Sequence, residues 1–175
     1  MKIKIKAVLV GGAGAAAIAA ALSGAGSANA SCSSLNGHNI GGHGCESTVG
    51  SASIALGHDA QAVSAGPGSV AVAVGNPGFN RFYPTKATIP TKADAQGTRN
   101  VSVAIGDGSN AGTLGSHNTA LVLGNGSNAF SYGGNAGSPL KPFGGTGNTS
   151  VTLAHGSEAG AVGNHQISTA FQNNK

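Results

Sequence analysis

The sequence predicts an all-β protein, a parallel β-roll of five to six two-strand coils with two long loop insertions. Three observations predict it. A unit recurs, as "SIALGHDAQA" from Ser53, "SVAIGDGSNA" from Ser102 and "SVTLAHGSEA" from Ser150. Inside each unit apolar residues alternate, which is the period of a strand with one face inward. The composition, 31 Gly with no Trp, five Phe and two Tyr, is too poor in large side chains for a conventional core and suits short strands joined by tight turns. Low net charge and regularly placed Val, Ile and Leu exclude a disordered chain.

In chain order, Lys2, Lys4 and Lys6 precede an apolar Ala/Gly/Val stretch to about Leu22 that closes on "SANA". This predicts a secretory signal peptide over 1–30, cleaved before Ser31, with the rest of the chain secreted or associated with the cell surface and lacking a transmembrane segment. The Ala/Gly-rich leader looks bacterial. "NAS" ahead of Cys32 is a poor site for lipidation. Three of the nine Lys and Arg leave with the leader, so six remain against five Asp and Glu. The formal +4 is then mostly targeting signal, and binding to nucleic acid loses its electrostatic basis.

Residues 31–50 read as an N-terminal cap closed by a disulfide between Cys32 and Cys45, the expected state in an oxidising compartment. His38 and His43 lie inside that loop, but their spacing with the two thiols fits no standard zinc pattern, and no metal or cofactor is expected.

Residues 51–175 carry the repeat. Aligned on the residue after the second apolar position, the copies fall at Gly57, Gly75, Gly106, Gly124, Ala154 and a degenerate Gln172, with offsets of 18, 31, 18, 30 and 18. The alternating pairs are Ile54 and Leu56, Val72 and Val74, Val103 and Ile105, Leu121 and Leu123, Val151 and Leu153, and Thr169 and Phe171. Ala62, Ala111, Ala129 and Ala159 stand five residues past the anchor, and Gly66, Gly115, Gly133 and Gly163 nine past it. Stacked coils would bury the Val, Ile and Leu as one inner column, with Gly at the corners and Ala where a second strand leaves little room. An antiparallel β-prism or sandwich is the alternative, because four-residue spacers such as "SHNT" also suit hairpins.

Units of the form "SVAIGxxSxAxxxG", tightest at Ser102 to Gly115, resemble the head repeats of YadA-like trimeric autotransporter adhesins. The resemblance is at the level of the motif and covers a little under half of the chain after the leader. No heptad stalk or membrane-barrel segment follows. It implies a left-handed parallel β-roll, a homotrimer, and binding to a matrix protein or an envelope polymer.

Insertions are expected at about 85–101 and 134–149. The first, in "NPGFNRFYPTKATIPTKADAQGTRN", brings together Phe79, Arg81, Phe82, Tyr83, Lys86, Lys92 and Arg99. Interleaved aromatic and basic side chains on one loop make it the candidate binding surface. The second, "GNAGSPLKPFGGTGN", carries no ligand signal. There is no G-x-S-x-G, H-E-x-x-H or G-x-x-x-x-G-K-[ST], and the five acidic residues form no close pair in sequence. Asp59 and Asp107 read as turn residues bonded to their own backbone. The expectation is therefore a non-enzymatic, adhesin-like or structural interaction module; the alternative is a small secreted enzyme or inhibitor with its site on the inserted loops.

Overall fold

The structure, a computed structural model, describes residues 32–82, 88–133 and 146–171. These are all-β. The strands are β1 (Cys32–Leu35), β2 (His38–Gly41), β3 (Cys45–Ser47), β4 (Ala52–Leu56), β5 (Gln61–Ala65), β6 (Val70–Val74), β7 (Lys92–Thr98), β8 (Val101–Ile105), β9 (Asn110–Ser116), β10 (Thr119–Leu123), β11 (Asn128–Tyr132), β12 (Thr149–Thr152), β13 (Glu158–Val162) and β14 (Ile167–Ala170). They form an eight-stranded sheet, β14-β12-β10-β8-β6-β4-β1-β2, and a six-stranded sheet, β13-β11-β9-β7-β5-β3. From β3 onward the chain alternates between the two sheets. Every strand pair in the six-stranded sheet is parallel, as is every pair from β4 to β14 in the other.

The N-terminal hairpin runs the other way. β2 pairs antiparallel with β1, and β1 antiparallel with β4. Its two-residue turn is Asn36–Gly37, both at positive φ (52° and 82°), the form an Asn-Gly pair favours because it follows the twist of the strands. Cys32 on β1 and Cys45 on β3 are bonded, which crosslinks the two sheets at this end.

The faces of the repeat strands are the reverse of those expected. In the eight-stranded sheet the inward rows are Ser53-Ala71-Ser102-Ala120-Ser150 and Ala55-Ala73-Ala104-Val122-Thr152, all buried. Opposite them lie Cys45-Ala62-Ala93-Ala111-Ala129-Ala159 and Ser64-Ala95-Thr113-Ser131-Ala161. Residues of both sheets join in one core cluster in which Val122 is the largest fully buried side chain. The predicted inner column of Val, Ile and Leu therefore faces out. Alternation identifies two faces of a strand but not which is inner; here the narrow gap between sheets admits Ala, Ser and Thr.

The first insertion ends earlier in the chain than expected. Lys92–Thr98, expected within a loop, is strand β7, and Ala93 falls in register between Ala62 and Ala111. The inserted segment enters at the corner between β6 and β7. Thr91 there stands in the place of Ser109 and Ser127: the carbonyls of Thr91, Ser109 and Ser127 accept from the N–H groups of Gln61, Lys92 and Asn110. The copy that lacked its Ala at the fifth position has it after all, displaced to Ala93.

Polar side chains hold the corners. At one corner, Asn76 accepts from the N–H of His58, Asp107 from that of Asn76, Asn125 from that of Asp107, and His155 Nδ1 from that of Asn125, at 2.8–3.0 Å. Asp107 thus bonds to the backbone of the neighbouring copy, not to its own turn. At the other corner, the side-chain oxygens of Asn100, Asn118 and Asn148 accept from the N–H of Asn118, Asn148 and Gln166 at 2.9–3.0 Å. These three asparagines are fully buried, and their amide groups donate to carbonyls of Gly115, Leu114 and Gly163.

Candidate functional site

The described residues of the predicted aromatic and basic site, Phe79, Arg81, Phe82, Lys92 and Arg99, fall at three places. Tyr83 and Lys86 lie outside the described residues. Phe79, Arg81 and Phe82 sit on the inserted segment as it leaves the corner. Asn80 anchors that segment: it is buried, and its Nδ2 donates to the Gly108 carbonyl and to Asn128 Oδ1, each at 2.9 Å. The segment passes closely over three corner glycines. A Cβ on Gly108 would lie 2.6 Å from the Gly78 carbonyl carbon, one on Gly126 would lie 2.4 Å from the Phe79 oxygen, and one on Gly156 would lie 3.8 Å from Arg81 Cδ. Gly78 and Ile89 close the base of the insertion through an antiparallel bridge.

On this strap the Arg81 guanidinium lies 5.0 Å from the Phe82 ring centroid, a cation–π contact within the loop itself. Phe79 is 67% exposed. Lys92 opens β7 and faces outward, its Nζ 3.9 Å from Asp94 Oδ2. Arg99 ends up at the opposite corner with φ +54°, about 23 Å from Lys92 along an extended strand. So Phe79, Arg81 and Phe82 share one corner strap, Lys92 belongs to the outer face of the six-stranded sheet, and Arg99 to the far corner.

Two further surfaces lie on the outer faces of the sheets. The outer face of the eight-stranded sheet carries the aliphatic rows Ile54-Val72-Val103-Leu121-Val151 and Leu56-Val74-Ile105-Leu123 in register. At its C-terminal side Ile105, Leu123 and Leu153 are 37%, 42% and 41% exposed. Five strands at about 4.8 Å spacing make this a continuous stripe roughly 20 Å long, not the scattered apolar residues of an ordinary surface. The outer face of the six-stranded sheet carries Phe130 and Tyr132, whose rings stack at 5.8 Å. The alternation of "NAFSY" marks them as same-face neighbours, and that signal was legible.

No group of three or more His, Cys, Asp or Glu that could hold a metal ion occurs among the described residues, and no helix among them is long and apolar enough to cross a membrane. In comparisons with known proteins, the chain matches no family model, no curated protein and no solved structure.

Proposed function

We propose that this protein is an exported, non-enzymatic β-roll that acts at the cell surface or outside the cell as an adhesin-like or structural interaction module. In this reading it works as a homotrimer and contacts a matrix protein or an envelope polymer. The observation that supports it best is the outward aliphatic face: each repeat turns its large side chains away from the core formed by the described residues, where a further surface can cover them. Repeated in register, the same patch on identical chains suits closed symmetric assembly. The head-repeat resemblance supports three copies, and the basic leader with its "SANA" end supports export.

Light scattering after size exclusion tests the assembly. The expected result is a mass three times that of the chain, falling to one chain when Ile105→Asp and Leu123→Asp are combined. A monomer at high concentration, unchanged by those substitutions, would remove self-assembly from the reading. Fractionation of producing cells tests export separately, through a precursor that shortens by about 30 residues.

A further inference from the structure

The outer face of the six-stranded sheet has three rows, fixed by strand register. They are Lys92-Asn110-Asn128-Glu158, Asp94-Gly112-Phe130-Gly160 and Gln96-Leu114-Tyr132-Val162. In the middle row Gly112 has no side chain, and the strands on either side build walls beside it. On β11, Phe130 and Tyr132 stack with 24° between their planes and lean over Gly112. A Cβ there would meet Phe130 Cδ1 at 3.2 Å and Tyr132 Oη at 3.3 Å. On β7, Gln96 Nε2 donates to both Asp94 carboxylate oxygens at 3.1 Å, and Lys92 stands 3.9 Å from the same carboxylate. Between the walls is a groove of about 360 Å³.

The chemistry of the two walls is complementary to one kind of ligand. A pyranose ring offers a face of C–H groups and a rim of hydroxyls. The C–H face suits an aromatic wall, and the hydroxyls suit a fixed carboxylate and amides. Asp94 and Phe130 are two strand spacings apart, about 9.6 Å. The rings cover Gly112 itself, so the ligand sits in the groove of about 360 Å³ beside them, with van der Waals contact to the aromatic wall and hydrogen bonds to the polar one. Charge narrows the class further. The single Lys and single Asp neutralise each other, so the groove offers no surplus cation to a phosphate or sulfate and no surplus anion to an amine.

We propose that this groove binds a neutral hexopyranose unit of a glycan, with Phe130 and Tyr132 stacking on the ring and Asp94, held by Gln96, accepting from its hydroxyls. This supplies a ligand class for the interaction module proposed above and rests on that reading only for its biological setting. The groove and the aliphatic face lie on different sheets and fail independently.

Saturation-transfer NMR on the purified protein tests it, with methyl β-D-glucopyranoside, methyl β-D-galactopyranoside and methyl α-D-mannopyranoside as probes. Each is taken to about 20 mM, because contact with one ring corresponds to a millimolar Kd. The expected result is transfer to the ring C–H protons of at least one glycoside. Gly112→Val drives its side chain against Phe130 Cδ1 and Tyr132 Oη, displaces both rings from their place on the groove wall, and should weaken binding at least tenfold. Gly160→Val, on the same row with nothing within 4 Å of its Cβ, should leave it unchanged. Phe130→Leu keeps an apolar outer face without the ring and should also weaken binding tenfold, so the test does not depend on one variant folding. The proposal is overturned if no glycoside shows transfer, if binding survives both Gly112→Val and Phe130→Leu, or if an oligoproline peptide binds the groove in place of the sugars.

Discussion

Small residues at fixed positions decide how closely successive copies approach. A Cβ on Gly66 would lie 1.9 Å from the Gly97 oxygen, and one on Gly97 would lie 1.9 Å from the Gly115 oxygen, with φ of +100° and +112°. Gly97→Ala is expected to cost about 4 kcal/mol or more, read as loss of folded protein in urea titration. The buried asparagines are equally constrained. Asn118→Ala strips the N–H of Asn148 of its partner and leaves the Leu114 carbonyl with the Gly133 N–H alone, an expected loss of about 2 kcal/mol. The opposite sign is expected at Ser102. Its hydroxyl is fully buried with no hydrogen-bond partner, and its neighbours along the row are Ala71 and Ala120. Ser102→Ala should therefore raise stability by about 1 kcal/mol, shifting the thermal midpoint up by several degrees. The asparagine ladder was legible as Asn ahead of "VSV", "TAL" and "TSV", but its meaning lies in the bond to the next copy, which a single unit does not display.

At the scale of the element, the alternation in "SIALG" or "SVAIG" is enough to place a strand, and strands occur at all these sites. It was silent on which face is inner, because the larger residues are inner only when the space behind the sheet can hold them. Strand β7 was hidden for a related reason. "KADAQGT" has no branched aliphatic residue, and charged groups at its outward positions give it the look of a loop; only Ala93 and Ala95 mark its inner face. The N-terminal hairpin had the opposite status, since Asn36–Gly37 is a strong turn signal in the sequence, overlooked beside the cysteines. The disulfide joins a strand of each sheet at this end. Replacing both Cys32 and Cys45 by Ala is expected to cost about 3 kcal/mol. Hydrogen exchange should show the loss concentrated in β1, β2 and β3, with β8 to β11 protected as before, because each strand is supported mainly by its neighbours in the ladder.

Taken whole, the molecule presents three different surfaces: an aliphatic stripe on one sheet, an aromatic and polar groove on the other, and a strap along one corner. The predicted site mixed residues from the last two with Arg99 from the far corner. Proximity in sequence had stood in for proximity in space, and β7 carries the chain across the full width of its sheet between Lys92 and Arg99. The strap itself illustrates a wider property. The chain departs after Asn76 and resumes at Thr91, yet Ala93 takes its place between Ala62 and Ala111 as though nothing had intervened. The ladder likewise resumes after Gly133, with Thr149 in register on Thr119. Corner length is thus uncoupled from wall geometry. A change of loop length at these points asks no ladder to be rebuilt, which leaves the corners as the place where the chain can vary while its frame stays constant.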